Sequence, residues 1–365
     1  MNTLIDLLLE KKRDRTQEIS IYFFENCNLR CAFCWQDHET MVGLDTVREK
    51  VSAIEDYFKE EKRSAVSFAM MGGELFADKI FDDKLLSDFK YVTDCIKDLS
   101  VKYNKQVTIS WVTNLVTTRL DMIRDLVYHG RKLGLKVEVS TSYDFAGRFN
   151  ITQFLMFKTN VELMWDEIRT FSLTLTKANC KYFLEKKDPY FDYLYNKGAY
   201  FYFDYYMPDQ SADKQCPSDT MLLEVFKKGI VEYPLIDPWK SWIENKSNYA
   251  SCRSSRMINP DNSRSNCGAM VIAQNEEAAD KIYTIKLHNK SNANIENLFL
   301  EKYNCIGCEY LERCSFGCFM QHASVKFVEE LDDCVYRKTY QFMEENNLIS
   351  YGSSIKTLAS ANNHS

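Results

Sequence analysis

The sequence contains no apolar run that approaches the roughly 18 residues needed to span a bilayer. It also has no internal repeat, collagen-like stretch or low-complexity tract. Neither sign of charge dominates, since the chain has 46 basic and 52 acidic residues and a net charge of −6. The overall balance therefore disfavours a nucleic-acid backbone as the main partner, although a local basic groove stays open. With 45% hydrophobic and 14% aromatic residues, the composition is that of a globular protein.

A targeting signal is missing as well. The charges of the N-terminal segment "MNTLIDLLLEKKRDR" follow its apolar run instead of preceding it, and no small-residue cleavage site is present. We interpret residues 1–17 as an N-terminal amphipathic helix and expect a cytoplasmic protein. That compartment keeps thiols reduced, so the thirteen cysteines indicate metal or redox chemistry and not disulfides.

From residue 18 to residue 208, short β-rich runs alternate with helical stretches. Strands are predicted over 18–24, 64–73, 106–114, 135–144, 168–176 and 199–206. Helices are predicted over 44–63, 82–104, 120–133 and about 178–196. About six such units predict an α/β fold with parallel strands and helical crossovers, arranged as a partial (β/α)6 barrel. In barrels of this kind the chemistry lies at the carboxyl ends of the strands.

Three cysteines follow the first predicted strand in the stretch "CNLRCAFC", at Cys27, Cys31 and Cys34. Four thiolates commonly hold a four-iron cluster, so a loop that supplies three leaves one iron open to a ligand. A zinc site or buried thiols are the alternatives. The C-x3-C-x2-C spacing, with Phe33 before the third cysteine, resembles the radical S-adenosylmethionine (SAM) enzymes. That resemblance implies a [4Fe-4S] cluster that binds SAM, cleaves it reductively and yields a 5′-deoxyadenosyl radical, which abstracts hydrogen from a substrate.

Three later strand ends resemble the same family. "MGGEL" matches its GGE element, which implies that Gly72 and Gly73 let the backbone approach the cofactor and that Glu74 accepts from the SAM amino group. "VTN" ends at Asn114 and resembles the T-N-G element. "STSYD" and a later arginine resemble the S-x-D…R pattern, which implies that Ser142, Asp144 and Arg148 contact the SAM ribose or carboxylate. Turn and cap chemistry is the alternative for this last group.

A second group of cysteines lies near the C-terminus. "CIGCEYLERCSFGC" contains Cys305, Cys308, Cys314 and Cys318, and Cys334 follows after fifteen residues. The spacing alone is compatible with structural zinc. After a radical SAM barrel it resembles the SPASM domain, which carries auxiliary four-iron clusters. The resemblance assigns one closed cluster to Cys305, Cys308, Cys314 and Cys334, and it assigns Cys318 to a second cluster with Cys252 and Cys267.

This second auxiliary set departs from the family pattern. Thr284 and Ile285 stand where the family has proline and cysteine. Three outcomes follow: an open iron, a ligand from elsewhere such as Cys216 or His288, or no cluster. Ile285 and Lys286 also occupy the place of the aspartate base of sulfatase maturases, which disfavours that reaction. The remaining cysteines, Cys95, Cys180 and Cys216, are isolated, and such residues usually pack as small hydrophobes.

The predicted organisation is therefore an N-terminal helix over 1–17, a radical SAM partial barrel over 18–208 and a bridging helical region over 209–251. A SPASM-like auxiliary-cluster domain follows over 252–347, with a flexible tail over 348–365. About 20 residues precede the barrel, so we expect no leader-peptide-binding domain.

The resemblance implies an enzyme with oxidoreductase-type radical chemistry that receives electrons from flavodoxin or ferredoxin. We expect the substrate to be a peptide side chain, which the enzyme modifies or cross-links. A nucleotide, a nucleic-acid base or a small metabolite is the alternative, and a non-catalytic zinc or iron–sulfur scaffold is a minor one.

Overall fold

A computed structural model describes residues 17–208, 212–246, 257–265, 292–311, 313–319, 321 and 331–349. The predicted N-terminal helix lies almost wholly outside these ranges, as does most of the predicted tail. Several residues singled out in the sequence also lie outside them: Cys252, Cys267, Thr284, Ile285, Lys286 and His288.

Six parallel strands form the main sheet, and they follow one another in space in the order of the chain. They are β1 Gln17–Tyr22, β2 Ala65–Met71, β3 Gln106–Thr113, β4 Lys136–Ser142, β5 Ile168–Leu175 and β6 Tyr200–Tyr205. Neighbouring parallel strands need crossover connections, and helices supply them here. The predicted α/β fold with a parallel sheet is confirmed.

The helices pack their apolar faces on the outside of this sheet. A 3-10 turn, Leu44–Glu49, leads into α1 Lys50–Glu60, and the next crossovers are α2 Asp83–Lys102, α3 Leu120–Lys132, α4 Ile151–Leu163, α5 Lys177–Glu185 and α6 Pro189–Asn196. After the barrel come α7 Ala212–Gln215, α8 Asp219–Glu232, α9 Trp239–Ile243, α10 Asn292–Lys302 and α11 Val335–Glu345, with a 3-10 turn at Cys305–Gly307. In the described ranges, no helix is long and apolar enough to cross a membrane.

Two helices differ from the prediction. The stretch predicted as one helix over 178–196 divides into α5 and α6, because Asp188 accepts from the backbone N–H groups of Tyr190 and Phe191 and starts a new helix at Pro189. Helix α4 was not predicted. Its apolar residues surround the helix instead of forming one stripe, and Ile151, for example, is exposed.

A short hairpin extends the sheet beyond β1. Strand β7, Met257–Ile258, pairs in parallel with β1, and β8, Arg264–Ser265, pairs antiparallel with β7. The fully buried Lys50 on α1 fixes the hairpin by donating to the carbonyls of Asn259 and Pro260, at 2.5 and 2.9 Å. Residues 257–265, predicted in the cysteine-rich domain, thus continue the barrel sheet, while the domain boundaries remain predictions.

Aromatic packing joins the C-terminal segment to the barrel. Helix α11 packs on α8, and the ring of Tyr336 lies 6.3 Å from Phe226, 6.1 Å from Trp242 and 6.4 Å from Tyr205 at the end of β6. Each such ring pair stabilises the fold by about 0.5–1.5 kcal/mol beyond the effect of the apolar area that it buries. They bring the C-terminal cysteines to the carboxyl end of the barrel.

Candidate active site

The predicted site residues follow the carboxyl ends of the first four strands, where a parallel barrel brings its loops together. The side chain of Asn114, after β3, donates to the Asn28 amide oxygen at 2.7 Å and lies 4.0 Å from the Cys27 sulfur. Asn28 in turn donates to the carbonyl of Val116 at 2.6 Å. Asn114 therefore ties the cysteine loop to the neighbouring strand end, a role that no short motif indicated.

Gly72 and Gly73 lie against the backbone that leads into the cysteine loop. The N–H groups of Gly73 and Glu74 donate to the carbonyls of Phe24 and Asn26, each at 2.8 Å. A Cβ atom on Gly73 would stand 2.2 Å from the carbonyl oxygens of Glu25 and Asn26. Glycine is required because the two backbones touch here. Contact of these glycines with a cofactor remains a prediction.

Glu74 is buried between two strand ends. Its Oε1 accepts from the Thr113 hydroxyl at 2.8 Å and from the N–H of Phe76 at 3.0 Å, and its Oε2 accepts from the N–H of Asn114 at 2.6 Å. Burial raises the pKa of Glu74 to about 7, although these hydrogen bonds act to lower it. The carboxylate thus clamps β2 to β3, whereas the sequence predicted only an acceptor for SAM.

In the described residues the three loop cysteines form no disulfide, and Cys31 and Cys34 lie within electrostatic reach of Cys27. Cys31 is buried, and Cys34 donates its N–H to the Cys31 carbonyl at 3.0 Å in a tight turn. Burial raises the pKa of Cys31, and it raises that of Cys27 to about 12. A bound metal would displace these protons, because coordination deprotonates a thiol outright.

The three loop thiols would suit an iron–sulfur cluster as ligands. Among the described residues, no three histidine, cysteine or acidic side chains are close enough to hold one metal ion. In a cubane each thiolate binds a different iron, so its ligands stand farther apart than those of one zinc. Three partly or fully buried thiols in one loop are consistent with that arrangement.

Asp144 and Arg148 form a buried ion pair beside this loop. The Arg148 Nε donates to the Asp144 Oδ2 at 2.5 Å, and the guanidinium lies 5.4 Å from the centre of the Phe33 ring. Its positive charge opposes the effect of burial on the pKa of Cys31. The other Asp144 oxygen accepts from the N–H of Thr174 and from the Asn179 amide. Sequence reasoning missed these two partners, although Asn179 belongs to the capped start of α5.

Ser142 takes a different position from its predicted neighbours. Its hydroxyl lies 2.8 Å from that of Ser172 on the adjacent strand. Ser142 therefore takes part in a contact between β4 and β5 and not in the Asp144–Arg148 pair. Its contact with SAM remains a prediction.

The C-terminal cysteines meet in a second place. Cys305, Cys308, Cys314 and Cys334 line one cavity, the set that the family resemblance assigned to a closed cluster. Its other walls are mainly aromatic rings, from Phe299, Tyr303, Tyr310, Phe316, Tyr336 and Tyr340. Burial raises the pKa of Cys334 to about 11. Cys318 is partly buried and does not belong to this lining, and Cys216 is buried in the core.

The chain is similar to several known proteins, while no family model matches it. The 7-carboxy-7-deazaguanine synthase of Bacteroides thetaiotaomicron is 32% identical over 123 residues, which are 31% of this chain and 60% of the synthase. A solved structure of histidine-tagged anSMEcpe with bound AdoMet, which is SAM, covers 92% of this chain and 98% of its own, with a TM-score of 0.60 and 16% identity. The crystal structure of Streptococcus suis SuiB covers 86% and 76%, but its TM-score of 0.35, at 14% identity, carries no argument.

The first of these likenesses is one of sequence and the second is one of fold. The chain spans about 60% of the length of the synthase, so that protein's activity is not transferred as a whole. The AdoMet-bound structure shares the parallel-strand architecture over nearly the entire chain. The chain is thus similar in sequence to the synthase over 123 residues and similar in fold to the AdoMet-bound structure over 92% of its length.

Proposed function

We propose that this protein is a radical SAM enzyme whose reaction starts at Cys27, Cys31 and Cys34. The observation that carries the proposal is the gathering of these thiols with the ends of β2, β3 and β4 at one end of the barrel. When bound, a [4Fe-4S] cluster with one iron free of protein ligands supplies the electron that cleaves SAM and so generates the 5′-deoxyadenosyl radical.

The chain's own residues hold that site in shape. Glu74 and Asn114 join the ends of β2 and β3 to the cysteine loop, and Gly73 allows the two backbones to touch. Asp144 fixes Arg148 beside Phe33, so that a guanidinium faces the carboxylate and ribose side of a bound SAM. Preorganised charge of this kind stabilises a ligand without reorganisation on binding. Gly72 and Ser142 complete the proposed SAM contacts.

We further propose a closed auxiliary iron–sulfur cluster on Cys305, Cys308, Cys314 and Cys334. Their common cavity supports it, since four thiols are the usual ligand set of a cluster that has no open iron. Cys318 is proposed to serve a second cluster with Cys252 and Cys267.

We propose that the substrate is a peptide side chain, which the enzyme modifies or cross-links. The SPASM-type spacing and the shared cavity of four cysteines support this assignment. A small metabolite or a nucleotide is the second candidate, and the sequence match to the deazaguanine synthase favours it. Because low-potential clusters are sensitive to oxygen, we propose a reducing cytoplasm and a flavodoxin or ferredoxin as electron donor.

Anaerobic reconstitution tests the central assignment. We expect the wild-type protein to absorb broadly near 400 nm and to release 5′-deoxyadenosine from SAM with dithionite. A Cys27→Ala, Cys31→Ala, Cys34→Ala variant should lose this release completely and keep the C-terminal iron. Cys95→Ala is the matched control, since Cys95 is an isolated, half-buried thiol on α2. A colourless zinc-loaded protein, or SAM cleavage by the triple variant, would contradict the proposal.

A further inference from the structure

The inner face of the barrel is lined by polar side chains. On β6, Phe201 and Phe203 are fully buried against helices, with ring contacts of 4.6 Å to Phe191 and 4.9 Å to Trp239. Because side chains alternate along a strand, Tyr202 and Asp204 point the other way, into the barrel. The same alternation turns hydroxyl groups inward on β3, β4 and β5, and two pairs of them are in contact: Ser110 with Ser140, and Ser142 with Ser172.

Charge inside the barrel is predominantly acidic. Glu18 on β1, Glu138 on β4 and Asp204 on β6 alternate with buried neighbours and therefore face inward. Glu138 has a partner, since Lys136 lies 3.6 Å away. Burial and the charge of Glu138 raise the pKa of Glu18, and burial with the charges of Glu18 and Asp144 raises the pKa of Asp204. The interior therefore attracts positive charge and disfavours a phosphate.

Asp204 occupies the reactive end of this interior. It pairs in register with Thr174, whose N–H donates to Asp144, so it stands one strand away from the Asp144–Arg148 pair. Its side chain borders the open interior, although protein surrounds it closely enough that burial raises its pKa to about 6. Within the described ranges it has no basic partner, and only the backbone N–H of Tyr205 stabilises its charge.

A carboxylate that faces the interior beside other acidic groups gains from a ligand that supplies positive charge. Lys136 and Arg148 are already committed to Glu138 and Asp144. We propose that the substrate carries a cationic nitrogen, a primary ammonium or a guanidinium, and that Asp204 binds it inside the barrel. The inference rests on the proposed function and narrows it: on a peptide, the group that enters the barrel is the side chain of lysine or arginine.

Deuterium transfer into 5′-deoxyadenosine tests this directly, because the radical takes hydrogen from whatever the barrel holds. The probes are matched pairs of perdeuterated compounds: pentapeptides with central lysine or norleucine, pentapeptides with central arginine or citrulline, and 1,5-diaminopentane or pentane-1,5-diol. We expect the cationic member of at least one pair to label 5′-deoxyadenosine about tenfold or more above its neutral partner, as befits a charge-assisted contact. Equal labelling within every pair, or no labelling from any cationic probe, overturns the inference.

Variants then connect the preference to Asp204. Asp204→Asn keeps the size of the side chain and removes its charge, and it should lower labelling by the preferred cationic probe about 10- to 100-fold. Asp204→Glu should restore part of it. Asp121→Asn removes a carboxylate whose side chain is 99% exposed on α3, and it serves as the control. Circular dichroism and iron content verify that each variant is folded and loaded.

Two failures can be told apart. If the wild-type enzyme forms no 5′-deoxyadenosine at all, the proposed function itself is wrong. If it forms 5′-deoxyadenosine, and Asp204→Asn keeps the full preference for the cationic probe, only the role of Asp204 is wrong.

Discussion

The two cysteine groups of this protein lie in contrasting surroundings. The first loop contains Asn28 and is bordered by polar side chains from other strand ends, namely Asn114, Asp144 and Arg148. The C-terminal cavity is walled by aromatic rings, and four cysteines line it. Three thiols among polar groups suit a metal that must also bind a charged cofactor, whereas four thiols among rings suit a closed one. The surroundings, as well as the number of sulfurs, thus support the proposal of a reactive site in the first loop and a closed one in the C-terminal cavity.

The largest expected effect breaks the closed site alone. Cys308→Ala removes one of four ligands from the cavity, so the C-terminal cluster should be lost and iron content should fall by about four atoms per chain. Release of 5′-deoxyadenosine should persist, because the first loop is untouched. Iron analysis and product chromatography measure the two. Cys180→Ala, a buried cysteine outside the cavity, is the control, and loss of SAM cleavage in Cys308→Ala would show that the two sites are interdependent.

A smaller effect should arise from a methyl group beside the open site. In Gly73→Ala the new Cβ would stand 2.2 Å from two carbonyl oxygens, so the cysteine loop must shift. A displacement of about 1 Å can cost about 100-fold in rate, and we expect SAM cleavage to fall by that order while the C-terminal iron stays. Gly198→Ala, where a Cβ meets nothing within 4 Å but the φ of +94° strains any side chain, should lower stability and leave the rate of SAM cleavage unchanged. A normal rate in Gly73→Ala would show that loop position matters little.

The smallest effect concerns stability and pH. The pKa of Asp204 rises from 3.8 to about 6 on folding, so the folded state binds more protons between these values, and stability falls as pH rises through that window. Glu18 and Asp144 face it and add to the effect. Asp204→Asn should therefore unfold a few degrees higher than wild type at pH 7.5, with a gain of about 1 kcal/mol after screening by the open interior.

The measurement is thermal circular dichroism of the reconstituted enzyme under nitrogen. The advantage of the variant should shrink at pH 4.5, where the wild-type carboxyl is largely protonated in the folded state. A gain in unfolding temperature that is constant across pH would mean that ionisation of Asp204 does not destabilise the folded state. In that case the charge of Asp204 would not lower the stability of the folded protein, although its side chain points into the barrel.

Much of the architecture was predictable because it depends on local pattern. Period-two and period-3.6 hydrophobicity located the six strands and most helices, and strand ends located the loops at which the site forms. The misses have local causes. Helix α4 has apolar residues on all sides, and the break before Pro189 depends on the Asp188 side chain capping α6.

The site was predictable to a different degree. Spacing located both cysteine groups, and the family resemblance assigned to one cluster the four cysteines that line the C-terminal cavity. The partners of Glu74, by contrast, come from residues about 40 positions away, so no short motif contains them. Asp144 likewise depends on Thr174 and Asn179, at sequence separations of 30 and 35.

By itself, the sequence determined which thiols can act as ligands and where strands begin and end, because covalent spacing and side-chain alternation are properties of the chain. Only the tertiary structure decided that Glu74 clamps two strands, that the C-terminal cavity is walled by rings, and that Asp204 faces Glu18 across the barrel. Those facts depend on the curvature of the sheet and on packing between distant segments. The same curvature turns Asp204, which has no basic partner in the described residues, into the barrel, and the proposed cationic substrate rests on that placement.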